Sequence, residues 1–243
     1  MSYTEFSTVY DDLMQDVPYE RWADYIMKKI GPMKSVIEAA CGTGNVTELL
    51  AKNDYKVTAF DLSEEMLVKA YEKVGRKTHV ELLKSNMTDF AVDKTFDVAI
   101  CCCDGLNYLL TEKEAKDFFR KTWEHLNDEG TLIFDFSTRY KFEKELQDKT
   151  IVSEEGSVFM VWENSFDVNS KLYQMNLTFF VEEENGLYKR IDEQQTQRPY
   201  TINEVVSLLE YVGFNRIEAF DDYSDRQAGP KTQRATFVCR KEK

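Results

Sequence analysis

The chain has 243 residues and a formal net charge of −13 at pH 7. That length can bury one substantial core, and no Pro/Gly/Ser-rich linker or low-complexity tract divides it, so a single domain spanning 1–243 is expected. The acidic balance repels a polyphosphate backbone, and the basic residues are interspersed with acids as on a solvated surface, which disfavours direct nucleic-acid binding.

The start, Met1-Ser-Tyr-Thr-Glu-Phe6, has neither a basic leader nor an apolar stretch. No later run approaches the ~20 apolar residues of a membrane span. A cytoplasmic protein with no membrane partner is expected. After Tyr10-Asp-Asp-Leu-Met14 a helix is predicted over 18–30, because proline suits a helix start and Gly31-Pro32 stops it. Strands at 35–39, 56–60, 79–84, 96–102 and 131–136 then alternate with helices at 45–53, 63–75 and 112–126. The strands are nearly continuous apolar runs, the pattern of a parallel sheet covered on both faces. Thr111-Glu-Lys-Glu114 reads as a capping box, and Thr201-Ile-Asn-Glu204 as a second, stapled by Tyr200 and Val205 and starting a helix over 202–212 that ends at Gly213. Strands at 215–220 and 234–240 bring the sheet to seven.

Residues 150–199 change to period-two alternation, with Tyr173, Met175, Leu177, Phe179 and Val181 on one face and Asn176 and Thr178 on the other. An inserted antiparallel sheet is predicted there. Its turns are expected at 167–170 and at Asn185-Gly186, and its place after the fifth strand puts it near the edge where ligands bind.

The run Val36-Ile-Glu-Ala-Ala-Cys-Gly-Thr-Gly-Asn-Val-Thr47 carries the most information. An apolar strand ends in an acid and enters a turn in which Gly42 and Gly44 let the backbone approach a ligand, while the helix beginning near Asn45 presents unpaired N–H groups. Asp61 closes the second strand, placed to accept from ribose hydroxyls. The third position of a dinucleotide fingerprint is Thr47 rather than glycine, and no Walker loop is present, which disfavours a nucleotide-dependent oxidoreductase.

The two segments Glu38-Ala-Ala-Cys-Gly-Thr-Gly44 and Phe60-Asp-Leu-Ser-Glu-Glu-Met-Leu67 resemble the cofactor motifs of class I S-adenosylmethionine-dependent methyltransferases. The resemblance continues through Leu83-Lys-Ser-Asn-Met-Thr-Asp-Phe90, the strand at Phe96 and the segment Gly130-Thr-Leu-Ile-Phe-Asp-Phe136. It is nearer still to a bacterial branch with an inserted β-sheet and to amino-sugar N-methyltransferases of that design. It implies a Rossmann-like, doubly wound, mostly parallel seven-stranded sheet, with S-adenosyl-L-methionine as cofactor and methyl transfer to an O or N atom of a small-molecule acceptor. It also implies that Ala40, Cys41, Gly42 and Gly44 face the methionine portion, that Glu38 organises hydrogen bonds there, and that Asp61 takes the ribose. Asn86 and Met87 match the pair flanking the adenine, with the Asn86 amide oxygen accepting from the adenine amine. Leu62 and Met66 pack on adenine or ribose, or belong to helix core. Tyr10 matches a tyrosine that closes over the cofactor, and Cys102 borders the methyl group.

The five cysteines lack Cys-x-x-Cys spacing, so neither a disulfide framework nor a metal site is expected. His79 and His125 read as structural. Candidates for chemistry are Asp104 and Tyr108, with Asp135, near strand ends, and Arg198, with Tyr200, at the exit of the inserted sheet; these last two either contact the acceptor or anchor the sheet. An RNA-modifying subunit that needs a protein partner stays open as an alternative, and the chain is expected to be a monomer or homodimer.

Overall fold

A computed structural model of the chain describes residues 6–75, 77–183 and 186–242. Two N-terminal helices, α1 (Phe6–Leu13) and α2 (Tyr19–Ile30), precede an alternation of β1 (Ser35–Ala39), α3 (Asn45–Lys52), β2 (Lys56–Asp61), α4 (Glu64–Val74), β3 (Val80–Lys84) and β4 (Phe96–Cys101). A single turn, Gly105–Tyr108, leads to α5 (Glu112–His125) and β5 (Leu126–Ser137). These strands, with β10 (Arg216–Asp221) and β11 (Arg234–Arg240), form one sheet in the order β10-β11-β5-β4-β1-β2-β3. Only β11 runs against the rest, pairing antiparallel with both β10 and β5.

The sheet is buried on both faces, which is why its strands read as unbroken apolar runs. Ile37, Phe60, Ala99, Leu132 and Phe134 face one core with Phe118 and Phe119 of α5 and Leu208 and Leu209 of α7 (Ile202–Val212). Val36, Val57, Val98, Ile100 and Ile133 face the other, against Trp22 and Ile26 of α2 and Leu50 of α3. The alternation along each strand decides which layer a side chain joins.

Local chemistry sets the helix starts. Ser63 accepts from the Met66 N–H to cap α4, and Thr111 and Glu114 exchange both bonds of a capping box at α5. At α7 the box is only half made. Thr201 accepts from the Glu204 N–H, but the Glu204 carboxylate turns to Arg198 instead of returning to the backbone. An ionic partner outbids a neutral N–H for the same carboxylate. β5 begins earlier than 131: Leu126 already pairs with Phe96, and the register slips before Thr131 meets Val98. Two helical segments have no counterpart in the sequence reading, α1 and the short α6 (Arg139–Lys141), which widens into a last turn closed by Gln147 N–H on the Phe142 carbonyl at 2.8 Å.

The insertion is a separate antiparallel sheet of β6 (Thr150–Glu155), β7 (Val158–Asp167), β8 (Leu172–Glu182) and β9 (Tyr188–Gln197), in that order. Asp167 builds the first predicted turn, accepting from Asn169 N–H and Ser170 Oγ–H, both at 2.9 Å. Asn185 of the second predicted turn lies outside the described residues, while the flanking strands pair from Glu182 and Tyr188 inward. Tyr173, Met175, Leu177 and Phe179 of β8 are buried as their alternation requires. Leu177 and Phe179 meet Val9 of α1 and Met66 of α4, and Tyr173 meets Phe142 and Leu146. Among the described residues no helix is long and apolar enough to cross a membrane.

Candidate active site

A cavity of about 640 Å³ opens at the C-terminal ends of β1, β2 and β4, with β9 across it. Its floor is the glycine turn. Ala40 leaves β1 with φ +52°, and Gly42 and Gly44 follow at +56° and +78°. A Cβ on Gly44 would stand 2.9 Å from Ala70 Cβ, so glycine is required there by conformation and by the close approach of α4.

Two acids brace this turn. Glu38, 2% exposed, accepts from Thr47 Oγ at 2.5 Å. Burial pushes its carboxyl up to about 8, against the Thr47 bond and helped by the nearby Asp61 charge. Asp61 accepts from the Gly42 N–H at 2.8 Å through one oxygen and from the Ser63 N–H at 2.9 Å through the other. Burial raises its pKa, and these backbone bonds oppose the rise. The Leu62 N–H adds a third such bond, and the carboxylate still has acceptor capacity for a further donor.

Tyr10, Glu38, Ala40, Cys41, Gly42, Asp61, Leu62, Met66, Asn86, Met87, Cys102 and Tyr108 all line the cavity. Leu62 is 63% exposed at its rim, an apolar side chain with one face uncovered. Met66 serves two surfaces, lining the cavity while packing into the core under the inserted sheet. The Asn86 amide oxygen accepts from Thr88 N–H and Thr88 Oγ–H, both at 3.0 Å, so the group it leaves for a ligand is the amide NH₂ rather than the oxygen expected from sequence.

Two expected acceptor-side residues stand elsewhere. Arg198 pairs with Glu204 and stacks on the Tyr200 ring, 4.6 Å from its centroid, and neither lines the cavity. Asp104 is held by Arg234 through two bonds of 2.8 and 2.9 Å. Burial opposes its charge, but Arg234 prevails and holds its carboxyl below the usual range. The guanidinium also contacts Asp135, fully buried at the end of β5, which accepts from the N–H groups of Cys103 and Asp104 at 2.8 and 2.9 Å and from Tyr223 Oη–H. Burial raises the Asp135 pKa in spite of Arg234. This network fixes Cys103 and Asp104 at φ +61° and +66°, a conformation non-glycine residues rarely adopt. Asp104 is therefore a brace for the loop after β4 rather than part of the cavity wall.

Three of the residues that sequence reasoning missed shape the side of the cavity under β9. Asn107 donates to the Ser137 and Arg198 carbonyls at 3.0 and 2.8 Å and accepts from the Ser137 N–H at 2.9 Å, tying β5, the turn and the exit of β9 together. Gln195 and Thr196 of β9 line the cavity, and Gln195 accepts from Tyr108 Oη–H at 2.7 Å. His125 behaves as expected of a structural histidine: Nε2 accepts from Val92 N–H at 3.2 Å, and Nδ1 lies 2.8 Å from the Lys121 carbonyl. Among the described residues no group of His, Cys, Asp and Glu is arranged to hold a metal ion, and all five cysteines are free thiols.

Comparison with known proteins gives the family. The family described as "Methyltransferase domain" matches residues 36–130, the segment holding the glycine turn and the first four strands. A putative methyltransferase of Geobacillus sp. (strain WCH70) is 33% identical over 99% of this chain and 100% of its own length. The putative methyltransferase YqeM of Bacillus subtilis (strain 168) is 31% identical over 100% and 98%. A crystal structure of an S-adenosylmethionine-dependent methyltransferase from Clostridium acetobutylicum superposes with a TM-score of 0.88 at 31% identity, covering 99% of both chains. CalS10 of Micromonospora echinaspora, solved with S-adenosylmethionine bound, shares the fold at TM-score 0.77 and 18% identity over 99% of this chain and 98% of its own. The chain belongs to the S-adenosylmethionine-dependent methyltransferases. It is an enzyme with a Rossmann-like sheet and an inserted antiparallel sheet, and its cofactor is S-adenosylmethionine. The cavity suits that cofactor chemically: backbone turned open at glycine, a carboxylate with spare lone pairs and an exposed apolar rim stand in one continuous wall.

Proposed function

We propose that the enzyme methylates an amine of a small molecule in the part of the cavity between the loop after β4 and β9. The observation that carries this reading is the wall there. Tyr10, Tyr19, Cys103, Tyr108, Gln195 and Thr196 are all uncharged groups, and the cavity lining as a whole includes one cation, Lys84, already paired with Glu64. A polyanionic acceptor such as RNA needs a cationic track, and this lining offers none.

S-adenosylmethionine supplies a methyl group already activated on a sulfonium, ready for in-line displacement. The protein binds, aligns and excludes water. Ala40, Cys41 and Gly42 give the backbone surface for the methionine portion, Gly44 stands off the cavity wall against Ala70 and turns the chain into α3, and Glu38 orders hydrogen bonds beside the turn. Asp61 takes the ribose hydroxyls. Leu62, Met66, Asn86 and Met87 bracket the adenine, while Tyr10 and Cys102 border the methyl-donor end.

The acceptor atom follows from proton chemistry. Burial pushes the phenols of Tyr10 and Tyr19 upward and the Cys103 thiol up to about 12, so all three stay neutral at pH 7. None is a ready general base. An aliphatic hydroxyl would need one in the transition state, whereas an amine that has first given its ammonium proton to solvent attacks through its own lone pair and displaces S-adenosylhomocysteine. CalS10 is named for an amino pentose, a small molecule that carries such an amine. The test is transfer of labelled methyl from S-adenosylmethionine into a cell extract separated into small molecules, RNA and protein. Label is expected in an amine of the small-molecule fraction; label confined to RNA or protein overturns the reading.

A further inference from the structure

α1 has only eight residues, too few to be stable by itself, yet it holds Tyr10 against the cavity. One side of it is anchored by Val9 in the core under the inserted sheet. On the Asp11 side it is held by a cluster of ionic and polar contacts. Lys73, in the last turn of α4, donates to Asp11 Oδ1 at 2.7 Å, to Thr43 Oγ at 2.9 Å and to Asn45 Oδ1 at 2.6 Å. Thr43 in turn donates to Asp11 at 2.7 Å, and Asn45 to Asp11 at 3.3 Å. Thr43 and Asn45 belong to the glycine turn and line the cavity, and Tyr10 is the residue next to Asp11.

We propose that Asp11 and Lys73 are positioning residues for cofactor retention: Lys73, seated on the glycine turn, latches Asp11 and so sets Tyr10 over the cofactor cavity. The proposal rests on the reading of this cavity as the S-adenosylmethionine site. The chemistry favours a latch over simple glue. All of the ammonium's three donors are used, two of them on cavity-lining residues, so the order of the turn and the order of α1 share one charge. The pair is also partly exposed, with side chains 22% and 38% accessible, so water can compete for it. A contact of this strength holds a closed state without making it permanent.

The probe is S-adenosylhomocysteine, whose dissociation rate is measured by stopped-flow displacement. Lys73→Met keeps the apolar stem, and Asp11→Asn is isosteric, so the fold is retained and thermal melting checks it. Each should release the probe about 5- to 20-fold faster, the reduced effect of a charge-assisted bond at a half-exposed site. Lys73→Arg should restore most of the retention. In a Tyr10→Ala background the same substitutions should add less than about twofold, because the residue they position is gone. Unchanged rates, or equal acceleration with and without Tyr10, overturn the latch. Asp61→Ala separates the two levels: binding weakened by it but unmoved by Lys73→Met overturns the latch alone, and indifference to both overturns the site reading and the latch with it.

Discussion

Tyr108 and Gln195 meet across the cavity, the phenol donating to the amide oxygen at 2.7 Å, and so join the loop after β4 to the inserted sheet. The bond fixes both side chains where they line the cavity, on the side proposed for the acceptor.

Removing that pair should change the acceptor step and spare the cofactor. Tyr108→Phe and Gln195→Leu are each expected to lower kcat/KM for the acceptor found by methyl-label transfer by about 10-fold, the scale of one lost hydrogen bond, with S-adenosylhomocysteine affinity within twofold of wild type. Loss of cofactor affinity in either folded variant would move the pair out of the acceptor wall.

Asp61 has two tasks, holding Gly42 and Ser63 while keeping lone pairs for a ligand. Asp61→Ala should weaken cofactor binding by about 1–3 kcal/mol in calorimetry, and Asp61→Asn, which keeps one acceptor oxygen, by less. Equal affinities for all three proteins would exclude a direct contact.

Glu38 ties stability to pH. Its folded pKa, about 8, stands above the ordinary value of 4.5, so the native state binds a proton that the unfolded chain has released between those values. Its contribution to stability is complete below pH 4.5 and is lost as pH rises through about 8. Urea unfolding should show stability falling by about 1 kcal/mol per pH unit from this group over that window, and Glu38→Gln should flatten the slope. A slope that survives the substitution would assign it to another group.

Arg234 compensates the buried Asp135 and the part-buried Asp104, and its loss takes the salt-bridge partner from both. Arg234→Met should cost about 3–5 kcal/mol in urea unfolding. Adding Asp104→Asn should recover part of this, since one orphaned charge disappears. A neutral Arg234→Met would mean that water replaces the guanidinium.

The parallel frame was legible because burial on both faces forces unbroken apolar runs, and α7 because Thr201 and Gly213 mark its two ends. The insertion was legible from the alternation of Tyr173 to Phe179, with one face buried. The glycine turn could be read because its function demands rare residue types in fixed order. What escaped depends on partners far apart in sequence. α1 carries no proline or cap signal and is held by Lys73 and by Met66, more than 50 residues on. Arg198 reads equally as an acceptor contact or a sheet anchor until the half-made cap at α7 shows that Glu204 has taken it. Asp104 likewise reads as a candidate for chemistry near a strand end, and only the sheet order, with β11 beside β5, brings Arg234 to it. Asn107 looks like any loop asparagine, since nothing local reveals three bonds made to β5 and β9.

The inserted sheet touches the cavity through one end of one strand, the Gln195 and Thr196 of β9, while β6 lies three strands away with Val152 open to solvent. On the proposed acceptor position, the end of β9 and the turn at Gly105–Tyr108 face the acceptor from stretches of chain separate from the glycine turn, with Tyr10 serving both sides. Substitutions confined to those stretches should then retune what is methylated without revisiting the glycine turn. The remote strands of the insertion can drift, lengthen or acquire binding partners of their own while the reaction chamber keeps its shape.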